Sequence, residues 1–173
     1  MIIASSIEKS YGPQILFEDV SFLINKGERV GLVGKNGTGK STLFKMILGQ
    51  ENHDSGTLST PKGYRIGALE QHIHFTRPTV LKECIEALPP EKQWDHYKAE
   101  IILSGLGFSE QDFQKDPTTF SGGFQVRINL CKALLADPNM LLLDEPTNYL
   151  DILSLRWLKD YLNKWPGEMM IIT

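Results

Sequence analysis

The feature that most restricts this fold is the stretch Gly34-Lys35-Asn36-Gly37-Thr38-Gly39-Lys40-Ser41-Thr42 and its surroundings. It fits the pattern G-x-x-x-x-G-K-[ST]. The apolar run Arg29-Val30-Gly31-Leu32-Val33 should enter it as a β-strand, and Thr42-Leu43-Phe44-Lys45-Met46-Ile47-Leu48 should leave it as a helix. One chemistry explains these residue types. A polyphosphate needs several backbone N–H groups converging on its oxygens, and Gly34, Gly37 and Gly39 let the chain approach without a Cβ in the way. The helix start adds free donors and a partial positive charge. Lys40 is spaced to reach the β- and γ-phosphates, and the Ser41 hydroxyl to bind Mg²⁺. Gly34, Asn36, Gly37, Thr38, Gly39, Lys40, Ser41 and Thr42 together form the candidate nucleoside triphosphate site. The rival reading, a glycine-rich turn and nothing more, does not account for the strand before it and the helix after it.

Composition bounds the remaining possibilities. A chain of 173 residues holds one domain, or one domain with a small inserted lobe. With 41% hydrophobic residues, 23% charged residues and a net charge of −3, it reads as a soluble globular protein. No apolar run approaches the length that spans a bilayer. The start Met1-Ile2-Ile3-Ala4-Ser5-Ser6-Ile7-Glu8 lacks a basic region and a long apolar core, so no signal peptide is expected. Cys84 and Cys131 are far apart and form no C-x-x-C, which suggests two reduced thiols in a cytoplasmic protein. The mildly acidic balance argues against binding to DNA or anionic membranes. Lys26, Arg29, Lys35 and Lys45 form no run that would argue for RNA.

Along the chain, Ile2–Ile7 and Val20–Ile24 read as strands around the turn Tyr11-Gly12-Pro13, and Tyr64–Leu69 reads as a strand ending at Glu70-Gln71-His72. The texture then changes. Pro78–Leu88, Trp94–Leu106 and Glu110–Lys115 have helical character, so residues 73–120 read as a helical lobe inserted into an α/β core formed by 1–72 and 121–173. Gly122–Ala136 and about Ser154–Trp165 should be helices, and Glu168–Thr173 a buried strand. Trp94, Trp157 and Trp165 sit among Leu and Tyr at helix-like spacing and are expected in the core.

Met140-Leu141-Leu142-Leu143 reads as a buried parallel strand that delivers Asp144 and Glu145 at its end. Asp144 is placed to hold Mg²⁺ through its waters, and Glu145 to orient or deprotonate an attacking water. Ser121-Gly122-Gly123-Phe124-Gln125 repeats the logic of a small, glycine-rich helix start, with a plain N-cap as the alternative. His72 and His74 alternate on an extended segment but have no partner at ligand spacing for a metal.

Taken together, the chain resembles the ATP-binding cassette family over essentially its whole length. Gly34–Thr42 resembles Walker A and Gln71 the Q-loop. Ser121–Gln125 resembles the signature, Leu141–Glu145 Walker B, and Asn148-Tyr149-Leu150-Asp151 the D-loop. The wording Phe120–Arg127 and Glu145–Asp151 is most similar to the ABC-F subfamily, soluble proteins with two cassettes in one chain, many of which act on ribosomes.

The resemblance implies several further roles. Tyr11 would stack on adenine, and Gln71 would touch Mg²⁺ and the reacting water. A second cassette would close head to tail over the nucleotide. Ser121, Gly122 and Gly123 would then contact the γ-phosphate held by that cassette, and Asp151 would lie at the interface between the two. It also implies a switch histidine beyond Ile171-Ile172-Thr173, so the fragment is expected to be C-terminally truncated and to bind ATP with little or no turnover. Tyr149 stands where ABC-F proteins usually carry His, and the stretch between Gln71 and Ser121 leaves no room for a long helical arm. The fold class implied is a P-loop α/β core with an N-terminal antiparallel β portion and an inserted helical lobe. The leading function is ATP binding and Mg²⁺-dependent hydrolysis as the first cassette of an ABC-F ATPase acting on the ribosome. The alternative is the ATP-binding subunit of a membrane transporter. An SMC-type DNA ATPase would need long coiled-coil heptads, which this chain lacks.

Overall fold

The structure, a computed structural model, describes residues 1–69 and 74–173. Gln71 and His72 therefore lie outside the described residues.

Alternation of apolar and polar residues builds the first sheet. Strand β1 (Ile2–Tyr11) buries Ile2, Ala4 and Ile7, and pairs antiparallel with β2 (Gln14–Ile24) through a hairpin at Gly12-Pro13. The register shifts between Ala4 and Ile7, where Ser6 takes a positive φ of 47°, so both residues reach the same core across a bulge. Strand β4 (Ser55–Ser59) covers the other edge of β1. A Cβ on Gly56 would lie 2.2 Å from the Ser6 carbonyl, so the bulge can be approached closely only by glycine. The strands run longer than the apolar residues alone suggested, because cross-strand pairing carries the hairpin through Lys9–Phe17 to Tyr11–Gln14.

The second sheet is parallel, in the order β3 (Arg29–Leu32), β7 (Glu168–Ile172), β6 (Met140–Asp144), β5 (Ile66–Ala68). Its central strand β6 is apolar from Met140 to Leu143 because both of its faces are covered. Met140 and Leu142 pack with Leu43, Phe44 and Ile47 of α1 (Lys40–Ile47) and with the β1 face. Leu141 and Leu143 pack into the helical side of the molecule. Full burial of each such leucine contributes about 2 kcal/mol, so this strand anchors two cores at once.

The helical side comprises α2 (Val80–Ile85), α3 (His96–Gly105), α4 (Gly122–Leu135) and α5 (Ile152–Lys164). Helix α2 stops short of Leu88 because Pro89-Pro90 starts a 3₁₀ turn. Residues 110–114 also form a 3₁₀ turn rather than an α-helix, closed by a Ser109–Asp112 capping box. Helix α5 starts before Ser154, because the Asp151 carboxylate accepts the Ser154 N–H at 2.9 Å and caps it.

One expectation is corrected. Trp94 is 91% exposed, lying before α3 rather than on its buried face, while Trp157 and Trp165 do pack against the helical core. Helical spacing misassigned it because the chain turns at Asp95, so the periodicity does not continue through Trp94.

Candidate functional site

The phosphate-loop motif forms the turn its glycines require. Gly37 and Gly39 take positive φ values of 81° and 95°. A Cβ on Gly39 would lie 2.8 Å from the Phe17 ring, so this position needs glycine both for conformation and for space. Gly39 occupies the N-cap of α1 and brings no side chain, and the first turn, Lys40-Ser41-Thr42, has no acidic residue. The helix start thus keeps its backbone donors and its positive dipole end facing the loop. Within the loop, the Thr38 hydroxyl donates to the Lys35 carbonyl at 2.9 Å, and the Lys40 ammonium donates to the Gly34 and Lys35 carbonyls at 2.5 and 3.2 Å. Gly34 to Thr38, Asn36 included, are exposed, so this rim is open to a ligand.

The central observation is a contact across 103 positions of sequence: the Ser41 hydroxyl donates to Asp144 Oδ2 at 3.0 Å. This joins the helix that leaves the loop to the end of β6. A hydroxyl and a carboxylate side by side are hard oxygen donors of the kind Mg²⁺ takes, so the residues fit that ion. Glu145 follows with a φ of 44°, and its N–H donates to the Ile172 carbonyl of β7 at 3.1 Å. The left-handed turn ends the strand and leaves the Glu145 carboxylate exposed. Asn148 holds that carboxylate, its side-chain amide donating to Glu145 Oε2 at 2.5 Å and its N–H to the Glu145 carbonyl at 3.2 Å. Ser41, Leu69, Val126, Asp144, Glu145, Asn148 and Tyr149 line a cavity of about 400 Å³. A larger cavity of about 550 Å³ lies at the opposite end of the parallel strands, around Arg65, Asn139 and Gly167, and shares no residue with the loop.

The other predicted residues occupy separate places. Tyr11 closes β1 and is 48% exposed, with the Lys9 ammonium 4.9 Å from its ring centroid. It shares a hairpin with Phe17, the residue that meets Gly39. At Ser121-Gly122-Gly123 the structure favours an open helix start over a plain cap. Among the described residues the Ser121 hydroxyl caps no N–H of α4, and nothing lies within 4 Å of where a Cβ would stand on either glycine. These residues do not line the cavity beside Asp144. Asp151 caps α5, and the Ser154 N–H together with the Arg127 guanidinium holds its carboxyl down to about 2.

Sequence reasoning had not assigned roles to Asn148 as the clamp on Glu145 or to Arg127 as a partner of Asp151. The short offset from Glu145 to Asn148 is a local signal that could have found the first. Arg127 is linked to Asp151 only by tertiary structure.

Comparison with known proteins gives the family and the fold. The sequence matches the family model described as ABC transporter over residues 17–148. It is 40% identical over 172 residues to the energy-dependent translational throttle protein EttA of Escherichia coli (strain K12), covering 98% of this chain and 31% of EttA. It is 32% identical to the uncharacterized ABC transporter ATP-binding protein YfmM of Bacillus subtilis (strain 168), covering 100% of this chain and 41% of that protein. The chain thus spans well under half of these relatives. Among solved structures, an ATP-binding subunit of an ABC transporter superimposes with a TM-score of 0.86 at 23% identity, covering 100% of this chain and 79% of the other. A dimeric bacterial ABC transporter cassette gives 0.78 at 23% identity, with 100% and 88% covered. The fold is that of an ABC ATPase core, with an N-terminal antiparallel β portion and an inserted helical lobe. No helix among the described residues is long and apolar enough to cross a membrane. From its motifs, its fold and the family match, the chain belongs to the ATP-binding cassette family.

Proposed function

We propose that this chain is the first cassette of an ABC-F ATPase that binds ATP, hydrolyses it with Mg²⁺ in the complete protein, and works on the ribosome in the cytoplasm. The observation that carries the ATP reading is the Ser41–Asp144 contact at 3.0 Å, with Glu145 held beside it by Asn148. The ribosomal reading is supported by 40% identity to a translational throttle protein over 98% of the chain.

In this reading the loop N–H groups and Lys40 hold the β- and γ-phosphates. Ser41 and Asp144 would hold Mg²⁺, with the help of Gln71. The ion, when bound, offsets charge on the reacting phosphate. Tyr11 stacks on the adenine. Glu145 accepts the proton of the water that attacks the γ-phosphorus as the bond to the β-phosphate oxygen breaks, releasing ADP and phosphate. Ser121, Gly122 and Gly123 contribute their donors to the nucleotide of a second cassette packed head to tail, and Asp151 lies at that interface. The support for this last role is that the Ser121 helix start is open and does not line the chain's own cavity beside Asp144. A second reading, the ATP-binding subunit of a transporter, is favoured by the 32% identity to an ABC transporter ATP-binding protein.

The test is co-sedimentation of full-length Glu145→Gln with ribosomes. Losing the base should slow turnover by about 10²–10⁴-fold while the phosphate contacts remain, trapping the ATP-bound form. Co-sedimentation that needs MgATP is the expected result. Protein that binds ATP yet stays free of ribosomes in both conditions would overturn the ribosomal reading, and recovery with membranes would establish the second.

A further inference from the structure

Arg127 lies on α4, on the turn that follows Ser121-Gly122-Gly123, and is only 8% exposed. Its guanidinium ties three segments together. Nε donates to the Tyr149 carbonyl at 2.8 Å. Nη1 donates to the Leu106 carbonyl and to Asp151 Oδ2, both at 2.9 Å, with Ser154 Oγ at 3.4 Å. One face of the guanidinium lies over the Phe124 ring, 4.6 Å from its centroid, and Phe124 packs edge-on against Phe108 at 5.1 Å. The loop after α3 is shaped around this group. Gly107 has a φ of +91°, and a Cβ there would stand 2.9 Å from Nη1.

A buried guanidinium costs several kcal/mol of desolvation, which hydrogen bonds and a paired charge offset. Here Nε and Nη1 donate to residues 149 and 151, to Ser154 and to the end of α3. Asn148, immediately before the loop 149–151, clamps the Glu145 carboxylate through its side chain. Arg127 therefore fixes the far end of a short loop whose near end orients the candidate base, and its own helix begins at the open Ser121 segment.

We propose that Arg127 is a positioning residue that couples the Ser121–Gly123 helix start to Glu145. Displacement of the helix start by a facing cassette is carried through Arg127 into the loop 149–151, and through Asn148 into the direction of the Glu145 carboxylate. This sets turnover and leaves nucleotide affinity alone, since none of its hydrogen bonds involves residues 34–42. The inference rests on hydrolysis at Glu145 as proposed above. Lysine is a poor substitute, because one ammonium cannot serve both the Tyr149 carbonyl and Asp151 with the geometry of a planar fork.

The experiment compares full-length wild type, Arg127→Met and Arg127→Lys by fluorescent ATP-analogue binding, steady-state ATPase kinetics and hydrogen exchange over residues 146–154. The expected result is nucleotide affinity and KM within about twofold of wild type. kcat should fall between about ten- and a hundredfold, as misplacement of a reacting group does, with a smaller fall for R127K and faster exchange at 149–154 in both variants. If R127M does not fold, R127K decides. Wild-type kcat in a folded variant would overturn the proposal while leaving hydrolysis intact. So would parallel loss of affinity and kcat, which marks a purely structural role. A wild-type protein that binds ATP without turning it over would instead overturn the hydrolysis reading and this coupling with it.

Discussion

Replacing Lys132 by Met tests the electrostatics that hold α4 to the helical lobe. Glu83 of α2 is 1% exposed, and its carboxylate accepts the Thr76 and Arg77 N–H groups at 2.9 and 2.8 Å and the Lys132 ammonium at 2.5 Å. Burial pushes this carboxyl up, but the Lys132 ammonium and the two N–H donors outweigh it and hold it below the usual range. Removing one partner of a fully buried ion pair costs about 3–5 kcal/mol. The Lys132 side chain is 30% exposed and Glu83 keeps both N–H donors, so the cost falls below that range, at about 2–3 kcal/mol. At roughly 2–4 °C per kcal/mol for a chain of this size, Tm should fall by roughly 4–12 °C at pH 7.

The pH dependence has a definite sign. In wild type the depressed pKa stabilises the fold above the unfolded value and is lost as pH falls through the folded one. In Lys132→Met the ammonium no longer opposes burial, so the carboxyl rises relative to wild type and that part of the stabilisation is missing at neutral pH. The gap in Tm should therefore be full at pH 7 and narrow as pH falls below the ordinary glutamate value of about 4.3 and through the depressed folded one. Circular-dichroism melts of both proteins from pH 7 to pH 3.5 measure it. A gap that does not change with pH, or one under about 1 °C at pH 7, would refute the assignment.

Two further outcomes follow from close contacts and from the site. Gly105→Ala would place a Cβ 2.0 Å from Trp157 Cε2, where α3 and α5 meet, so urea denaturation should show a loss of roughly 1–3 kcal/mol or more. Adding Trp157→Leu should recover part of that loss. Ser41→Ala removes the hydroxyl that touches Asp144, so ATP affinity in Mg²⁺ should fall roughly tenfold or more while affinity in EDTA is little changed, measured by titration with a fluorescent analogue.

The parts legible in the sequence are those whose chemistry is local. A loop that wraps a polyphosphate must supply consecutive N–H groups, so Gly34–Ser41 carries its meaning in adjacent residues, and the run Met140–Leu143 is apolar because both faces of its strand are covered. Resemblance added Tyr11, Ser121–Gly123 and Asp151, whose local patterns alone are weak. Folding decided what depends on distant partners. Ser41 meets Asp144, Glu83 finds Lys132, and Arg127 collects Leu106, Tyr149 and Asp151 from segments that periodicity treats separately. Folding also separated Trp94 from Trp157, one exposed before a helix and the other against Gly105. Spacing along a chain encodes which backbone groups converge; which side chains lose water together is decided only when sheets and helices close on one another.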